Sequence, residues 1–273
     1  MTLPPLTQIP PHVAAVADYE ALARERMSDA AWAYFAGGAG DEWTLRENAA
    51  AFDRLPLRTR ALRDMRGATT RTALLGCDLA APILLAPVAF QRMAHPDGEL
   101  ATVLAAGAID VPMVVSTQAS LPVEAIAEQA AAPLWFQLYI QPDRDFTEAL
   151  VRRAEAAGYR ALVVTVDAPA TGMRWREQRA GFALPPVVEA VAGAAPVLVD
   201  GGIRRGADIL RALALGASAA LVGRAWIFAL AAAGAVGVAH VLRMLRAELE
   251  LAMALTGCPD IASIDRGVLA ARA

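Results

Sequence analysis

Six short apolar runs, rich in β-branched residues and spaced by helical stretches, constrain this chain most. They are Ile83–Ala86, Met113–Ser116, Trp135–Leu138, Leu162–Thr165, Val197–Asp200 and Ala219–Val222. Helical patterns over Gly98–Ala108, Pro122–Ala130, Phe146–Ala157 and Ala207–Leu215 lie between most of them. A strand covered on both faces reads as a near-continuous apolar run, and strand–helix alternation builds a parallel sheet. The fold class read from this is α/β: a TIM-type (β/α) barrel truncated to six strands where eight are usual.

Ahead of the strands, residues 1–80 read as a helical layer packing on the barrel, with residues 81–273 the incomplete barrel. The two form one structural domain. Asp18–Arg26 has a helical pattern, and Ser28 is placed to cap a second helix running through Trp32 to Ala36. Gly37-Gly38-Ala39-Gly40 breaks that helix, and Asp41-Glu42 opens a third toward Asn48. An irregular, arginine-rich stretch follows to Thr72. At the other end Val236–Thr256 reads as a final helix with Gly257 as its C-cap.

The anomaly is local. Between the fourth and fifth runs, Ala168–Pro185 shows no core-facing period, and only a helical stub, Val187–Ala192, follows. A structureless connection of that length is unusual inside a compact domain. It leaves the fourth and fifth strands without their usual neighbours. The expectation is that they pair directly and close a narrower six-stranded sheet, with poor solubility in practice. Otherwise the barrel stays open and two chains cover each other's edges as a homo-oligomer.

Composition narrows the function. The net charge is −3, and all 25 basic side chains are arginine, without a basic block. That argues against nucleic acid as the main partner. The hydrophobic fraction of 56% supports a sizeable core. Cys77 and Cys258 are far apart with no metal-ligand spacing, which fits free thiols in a reducing cytoplasm and no metal site. The start of the chain lacks the pattern of a secretory signal. The longest apolar run, Ala225–Ala239, reads as a buried helix, too short to span a bilayer, so no membrane partner is expected.

Two late loops carry the sharpest chemical signal. Asp200-Gly201-Gly202-Ile203-Arg204-Arg205-Gly206 follows the fifth strand and opens a helix. Gly223-Arg224 follows the sixth and opens another. Glycines let backbone N–H groups approach a phosphate, and a helix N-terminus with an arginine supplies the positive field. Turn glycines beside solvated arginines would look the same singly. Two such loops in tandem, after the last two barrel strands, point to phosphate. Other strand ends carry Ser116-Thr117, Gln137 with Tyr139, and Thr165 with Asp167. Each alone suits a satisfied core polar group, but together they suggest a polar ring around a planar ligand.

Tyr34–Glu42, Ala86-Pro87-Val88-Ala89, His95-Pro96-Asp97-Gly98-Glu99, Trp135–Tyr139, Thr165-Val166-Asp167 and Asp200–Gly206 together resemble the FMN-dependent α-hydroxy-acid oxidases and dehydrogenases, the glycolate, lactate and mandelate oxidase family. The resemblance covers nearly the whole chain in order. It implies an FMN cofactor and a small 2-hydroxy carboxylate substrate, oxidised to the 2-oxo acid. It places Pro87, Val88 and Ala89 along the flavin ring, and Ser116, Gln137 and Thr165 in hydrogen bonds to it. It gives the phosphate to Asp200, Gly202, Arg204, Gly223 and Arg224, and the substrate to Tyr34, Tyr139 and Arg174, with Arg174 clamping the carboxylate through its guanidinium fork.

The chain departs from that family after Pro185-Pro186. Two strand–helix units that the family carries there are missing. With them go a lysine at the flavin N1/O2 edge, which stabilises negative charge there, and the histidine that acts as base. His12, His95 and His240 do not replace that histidine by position; His95 follows the first strand and reads as structural. The activity expected of the chain is therefore impaired. Two alternatives stand beside it: a non-catalytic flavin- or phosphate-binding remnant or interaction module, and a gene reading that has dropped the segment.

Overall fold

A computed structural model describes residues 2–166, 173–181 and 198–270. The amino-terminal layer holds α1 (Asp18–Arg24), α2 (Asp29–Ala36) and α3 (Trp43–Asp53). Ser28 caps α2 as its sequence position predicts: its Oγ accepts the Ala31 N–H at 3.2 Å. The arginine-rich stretch ends in a two-stranded antiparallel hairpin that the pattern did not announce, β1 (Thr72–Leu74) with β2 (Cys77–Leu79). Its strands are only three residues long, too short for a period to show.

Six parallel strands follow as a curled half-barrel. They are β3 (Ile83–Leu85), β4 (Met113–Val115), β5 (Leu134–Leu138), β6 (Ala161–Val164), β7 (Leu198–Val199) and β8 (Ala219–Val222). Their spatial order is β6-β5-β4-β3-β8-β7. The expected pairing of the fourth and fifth strands does not occur. They are β6 and β7, and they stand at opposite edges of the sheet. Each pairs on one side only among the described residues, β6 with β5 and β7 with β8. Curvature set by the four strands between them keeps the edges apart, and apolar patterning carries no information on curvature.

Alternation along the strands divides the interior into two cores. Leu84, Val114, Trp135, Ala219 and Leu221 face inward and pack with Leu74, Cys77 and Leu79 of the hairpin, which plugs the floor of the half-barrel. Ile83, Leu85, Met113, Val115, Phe136 and Val222 face outward into the larger core beneath the helices. That larger core also takes Tyr19, Ala31 and Phe35, so the amino-terminal helices are packed onto the barrel.

The crossover helices are α4 (Glu99–Ile109), α5 (Val123–Ala127), α6 (Arg144–Ala156) and α8 (Gly206–Ala214). A short α7 (Trp175–Arg179) falls inside the stretch read as structureless, a correction to that reading. The stub at Val187–Ala192 lies outside the described residues. The last helix, α9 (Arg224–Thr256), begins earlier than its pattern suggested. Its first part is apolar on all sides and so has no period to read. Non-helical angles at Ala233 and Gly234 kink it, and Gly257 closes it with φ 69° as expected. With 33 residues it is long and apolar enough to cross a membrane, contrary to the reading of the shorter run. Yet 78% of its most apolar window is buried in the protein, as in a core helix.

Candidate active site

The carboxyl ends of the strands converge, with α2 and the start of α7, on one cavity of about 600 Å³. That size falls within the range of small-molecule sites, about 300–1,000 Å³. From β3 come Pro87, Val88 and Ala89; from β4, Ser116; from β5, Tyr139. The β7–α8 loop gives Asp200, Gly202 and Arg204, and the β8–α9 turn gives Gly223 and Arg224. Tyr34 comes from α2, and Arg174 is the N-cap residue of α7. Residues up to 190 positions apart are thus gathered as the strand-end rule for barrels requires.

Two of the predicted residues are off this wall. Gln137 is 2% exposed and spends its amide on its neighbours. Its Oε1 accepts from Ser116 Oγ (3.4 Å) and the Thr117 N–H (3.2 Å), and its Nε2 donates to Thr165 Oγ1 at 2.8 Å. Ser116, Gln137 and Thr165 therefore form one hydrogen-bonded row across β4, β5 and the end of β6. Thr165 lines a neighbouring, mostly apolar cavity of about 500 Å³ with Leu74, Trp135, Leu198 and Leu221, inside the open barrel. Asp167 lies outside the described residues.

The phosphate-type loops have the local structure such a role needs. Gly202 adopts φ 77°, and a Cβ there would sit 2.1 Å from Asn48 O of α3. Only glycine permits that approach. Buried Asp208 fixes the loop from below: its Oδ2 accepts the N–H groups of Arg204 and Arg205 at 3.1 and 3.0 Å. Asp208 also pairs with Arg205 and Arg211. Neither Asn48 nor Asp208 was singled out from the sequence. Their value rests on tertiary contacts, although the aspartate three residues into a helix was a readable capping signal.

Charge is concentrated on the cavity. The Arg204 guanidinium makes no hydrogen bond or ion pair with the described residues. Burial, then repulsion by Arg204 and Arg174, brings the Arg224 pKa down to about 10. Half-buried cations that repel each other across one cavity suit a doubly charged anion, which would relieve both the desolvation and the repulsion. Arg224 donates from Nε to Phe35 O (3.1 Å) and from Nη2 to Gly37 O (3.0 Å). Tyr34 is a neutral phenol: burial raises its pKa to about 12. His95 is not on the cavity wall; its Nδ1 accepts the Asp97 N–H at 3.2 Å and its ring abuts Gly234 at the α9 kink.

The sequence pattern of the FMN-dependent dehydrogenase family matches residues 23–187 and 182–271. The chain belongs to that family. The two matches meet at 182–187, where the missing strand–helix units were inferred. An L-lactate oxidase of Nostoc sp. is 36% identical over 352 aligned positions, covering 92% of this chain and 96% of the relative. Since the whole chain has 273 residues, that relative carries a segment this chain lacks. Glycolate oxidase 1 of Zea mays is 36% identical over 346 positions, covering 92% and 94%. A mandelate oxidase variant solved with (S)-mandelic acid superposes with a TM-score of 0.88 at 35% identity, covering 94% of this chain and 98% of that one. The family is one of FMN-dependent α-hydroxy-acid oxidoreductases, and its cofactor is FMN.

Proposed function

We propose that the chain keeps the FMN site of its family and a place for a small 2-hydroxy or 2-oxo carboxylate beside it, and oxidises such acids far more slowly than an intact member. One observation carries the binding half of this reading. The Gly202/Arg204 and Gly223/Arg224 loops meet on a single cavity, with two cations held half-buried. Gly202, Arg204, Gly223 and Arg224 would hold the phosphate, with the Asp200 carboxylate beside it acting on the Arg224 guanidinium. Backbone at Pro87, Val88 and Ala89 would lie along the ring, and the Ser116–Gln137–Thr165 row at its polar edge. Tyr34, Tyr139 and Arg174 would face the acid. Its two cysteines are free and buried, and the reading keeps the chain in the cytoplasm.

FMN, where bound, supplies the acceptor for a hydride equivalent from the carbon bearing the hydroxyl. The chain's own residues would bind and orient the acid. Among the described residues no histidine lines the cavity: Tyr34 is a phenol with a pKa near 12, Asp200 belongs to the phosphate end, and His95 is elsewhere. The chain also has no lysine to stabilise charge at the flavin edge. The same observation favours a second reading, a flavin- or phosphate-binding protein with no catalytic role. Visible flavin absorbance after purification tests the binding half. Arg224→Glu should abolish co-purifying flavin, and unchanged flavin content would remove the phosphate assignment.

A further inference from the structure

Arg174 is held more tightly than a free carboxylate clamp would be. Its Nη2 donates to Tyr34 O (2.8 Å) and Gly37 O (3.2 Å), and its Cζ lies 5.5 Å from the centre of the Tyr34 ring. Its Nε is 2.5 Å from Oε1 of Glu177, one helical turn on in α7. Among the described residues, Nε and Glu177 Oε1 meet as an ion pair, neither having a hydrogen-bond partner, and Nη1 has neither an ion pair nor a hydrogen bond. Glu177 does not reach the cavity wall, and its side chain is 7% exposed. Burial pushes its pKa up, while Arg174 pulls it down. A desolvated carboxylate is costly, so its placement on the one arginine from α7 that lines the cavity calls for a reason.

We propose that Glu177 is a positioning residue for Arg174: it takes the Nε edge of the guanidinium, so that Arg174 meets a substrate carboxylate through Nη1. The inference rests on the reading that the cavity takes a 2-oxo or 2-hydroxy acid beside Arg174. A guanidinium grips a carboxylate bidentately through Nε with one Nη, or through both Nη atoms. Glu177 closes the first mode, and the carbonyls of Tyr34 and Gly37 occupy half of the second. What remains is a single, fixed contact. The segment around Arg174 is also anchored independently, before α7 by the Gly40 N–H to Met173 O (2.7 Å) and within it by the Arg176–Glu42 ion pair (2.6 Å). Loss of the Glu177 charge should therefore loosen the guanidinium without unseating the helix.

Pyruvate is the probe, titrated by calorimetry and, on flavin-loaded protein, by the change in the flavin visible band. Glu177→Gln should weaken pyruvate binding roughly three- to tenfold, the scale of one loosened charge-assisted contact. In an Arg174→Leu background the same change should have no further effect, which a merely structural role would not produce. An unchanged dissociation constant in Glu177→Gln, or an equal loss in both backgrounds, overturns the proposal. If Glu177→Gln does not fold, Glu177→Asp keeps the charge and shortens the reach. It should weaken pyruvate at least about twofold with Arg174 present and not without it, and no change overturns the proposal. If Arg174→Leu binds pyruvate as well as the wild type, the acid-site reading fails and this inference with it. If Arg174→Leu loses pyruvate while Glu177→Gln keeps it, only this inference fails.

Discussion

Arg174 and Arg224 donate to the same backbone oxygen, Gly37 O, at 3.2 and 3.0 Å. One arginine comes from the start of α7 and the other from the start of α9, yet both are tied to the end of α2. The carbonyl end of a helix is its negative pole, a natural anchor for guanidinium groups. In the reading above, Arg174 faces the acid and Arg224 the phosphate. The end of α2 then sets the distance between the two ends of the site, and Tyr34 on the same helix faces the space between.

That relationship makes Gly37 a sharp test. A Cβ on it would lie 2.3 Å from Ala33 O, so even alanine forces the helix end to move. Gly37→Ala should destabilise the fold by about 1–3 kcal/mol, the usual range for overpacking. It should also lower flavin retention, because Arg224 loses one of its two carbonyl anchors and keeps only Phe35 O. Thermal melting and the flavin-to-protein absorbance ratio measure the two effects. Stability lost with full flavin retention would mean that Gly37 O does not position Arg224.

Catalysis is expected to be poor. Removing a positioned base costs roughly 10²–10⁴-fold, and loss of a charge that stabilises the transition state costs a comparable amount. Lactate, mandelate or glycolate should reduce bound flavin anaerobically at well under about 1 s⁻¹, below ordinary enzyme rates. Stopped-flow reduction faster than that would show that some residue of this chain serves as base.

His95 predicts an acid-side loss of stability. Burial lowers its pKa below the ordinary 6.5, with Asp97 opposing. The unfolded chain then takes up its proton near 6.5, and the folded chain only at lower pH. The contribution is intact above pH 6.5 and is lost as pH falls through the folded-state value. Melting temperature should therefore drop more between pH 7.5 and 5 for the wild type than for His95→Gln. At this chain length each kcal/mol is worth about 2–4 °C. Equal drops would mean that His95 takes its proton as readily in the fold as out of it.

Much of this was legible because the signals were local. Each apolar run became a strand, Ser28 and Gly257 ended their helices as their side chains or lack of one required, and the two glycine–arginine loops fell after the last two strands. What escaped depends on partners distant in sequence. The short α7 has no apolar period and is held by Glu42, Gly40 and the end of α2. Asn48 matters only because Gly202 lies against its backbone. The sharing of the Gln137 amide with Ser116, Thr117 and Thr165 likewise joins three strands and shows in no local pattern. The failed pairing of β6 with β7 has the same root, since adjacency in sequence does not determine how far a sheet curls.

The open edges carry the last prediction. β6 and β7 present backbone groups that no described strand pairs with, and Leu162 and Val166 at the β6 edge are 45% and 49% exposed. Unpaired apolar edges template association. Both edges belong to one parallel sheet, so the β7 edge of one chain runs in the direction that the β6 edge of another needs. Two half-barrels can pair reciprocally in this way, and a mismatch in curl would instead propagate into larger aggregates. Sedimentation velocity should show concentration-dependent association. Leu162→Lys and Val166→Lys together should reduce it, because a charge on an edge strand opposes pairing. A wild-type chain that stays a monodisperse monomer and melts cooperatively at the highest attainable concentration would show that these edges are covered within the single chain.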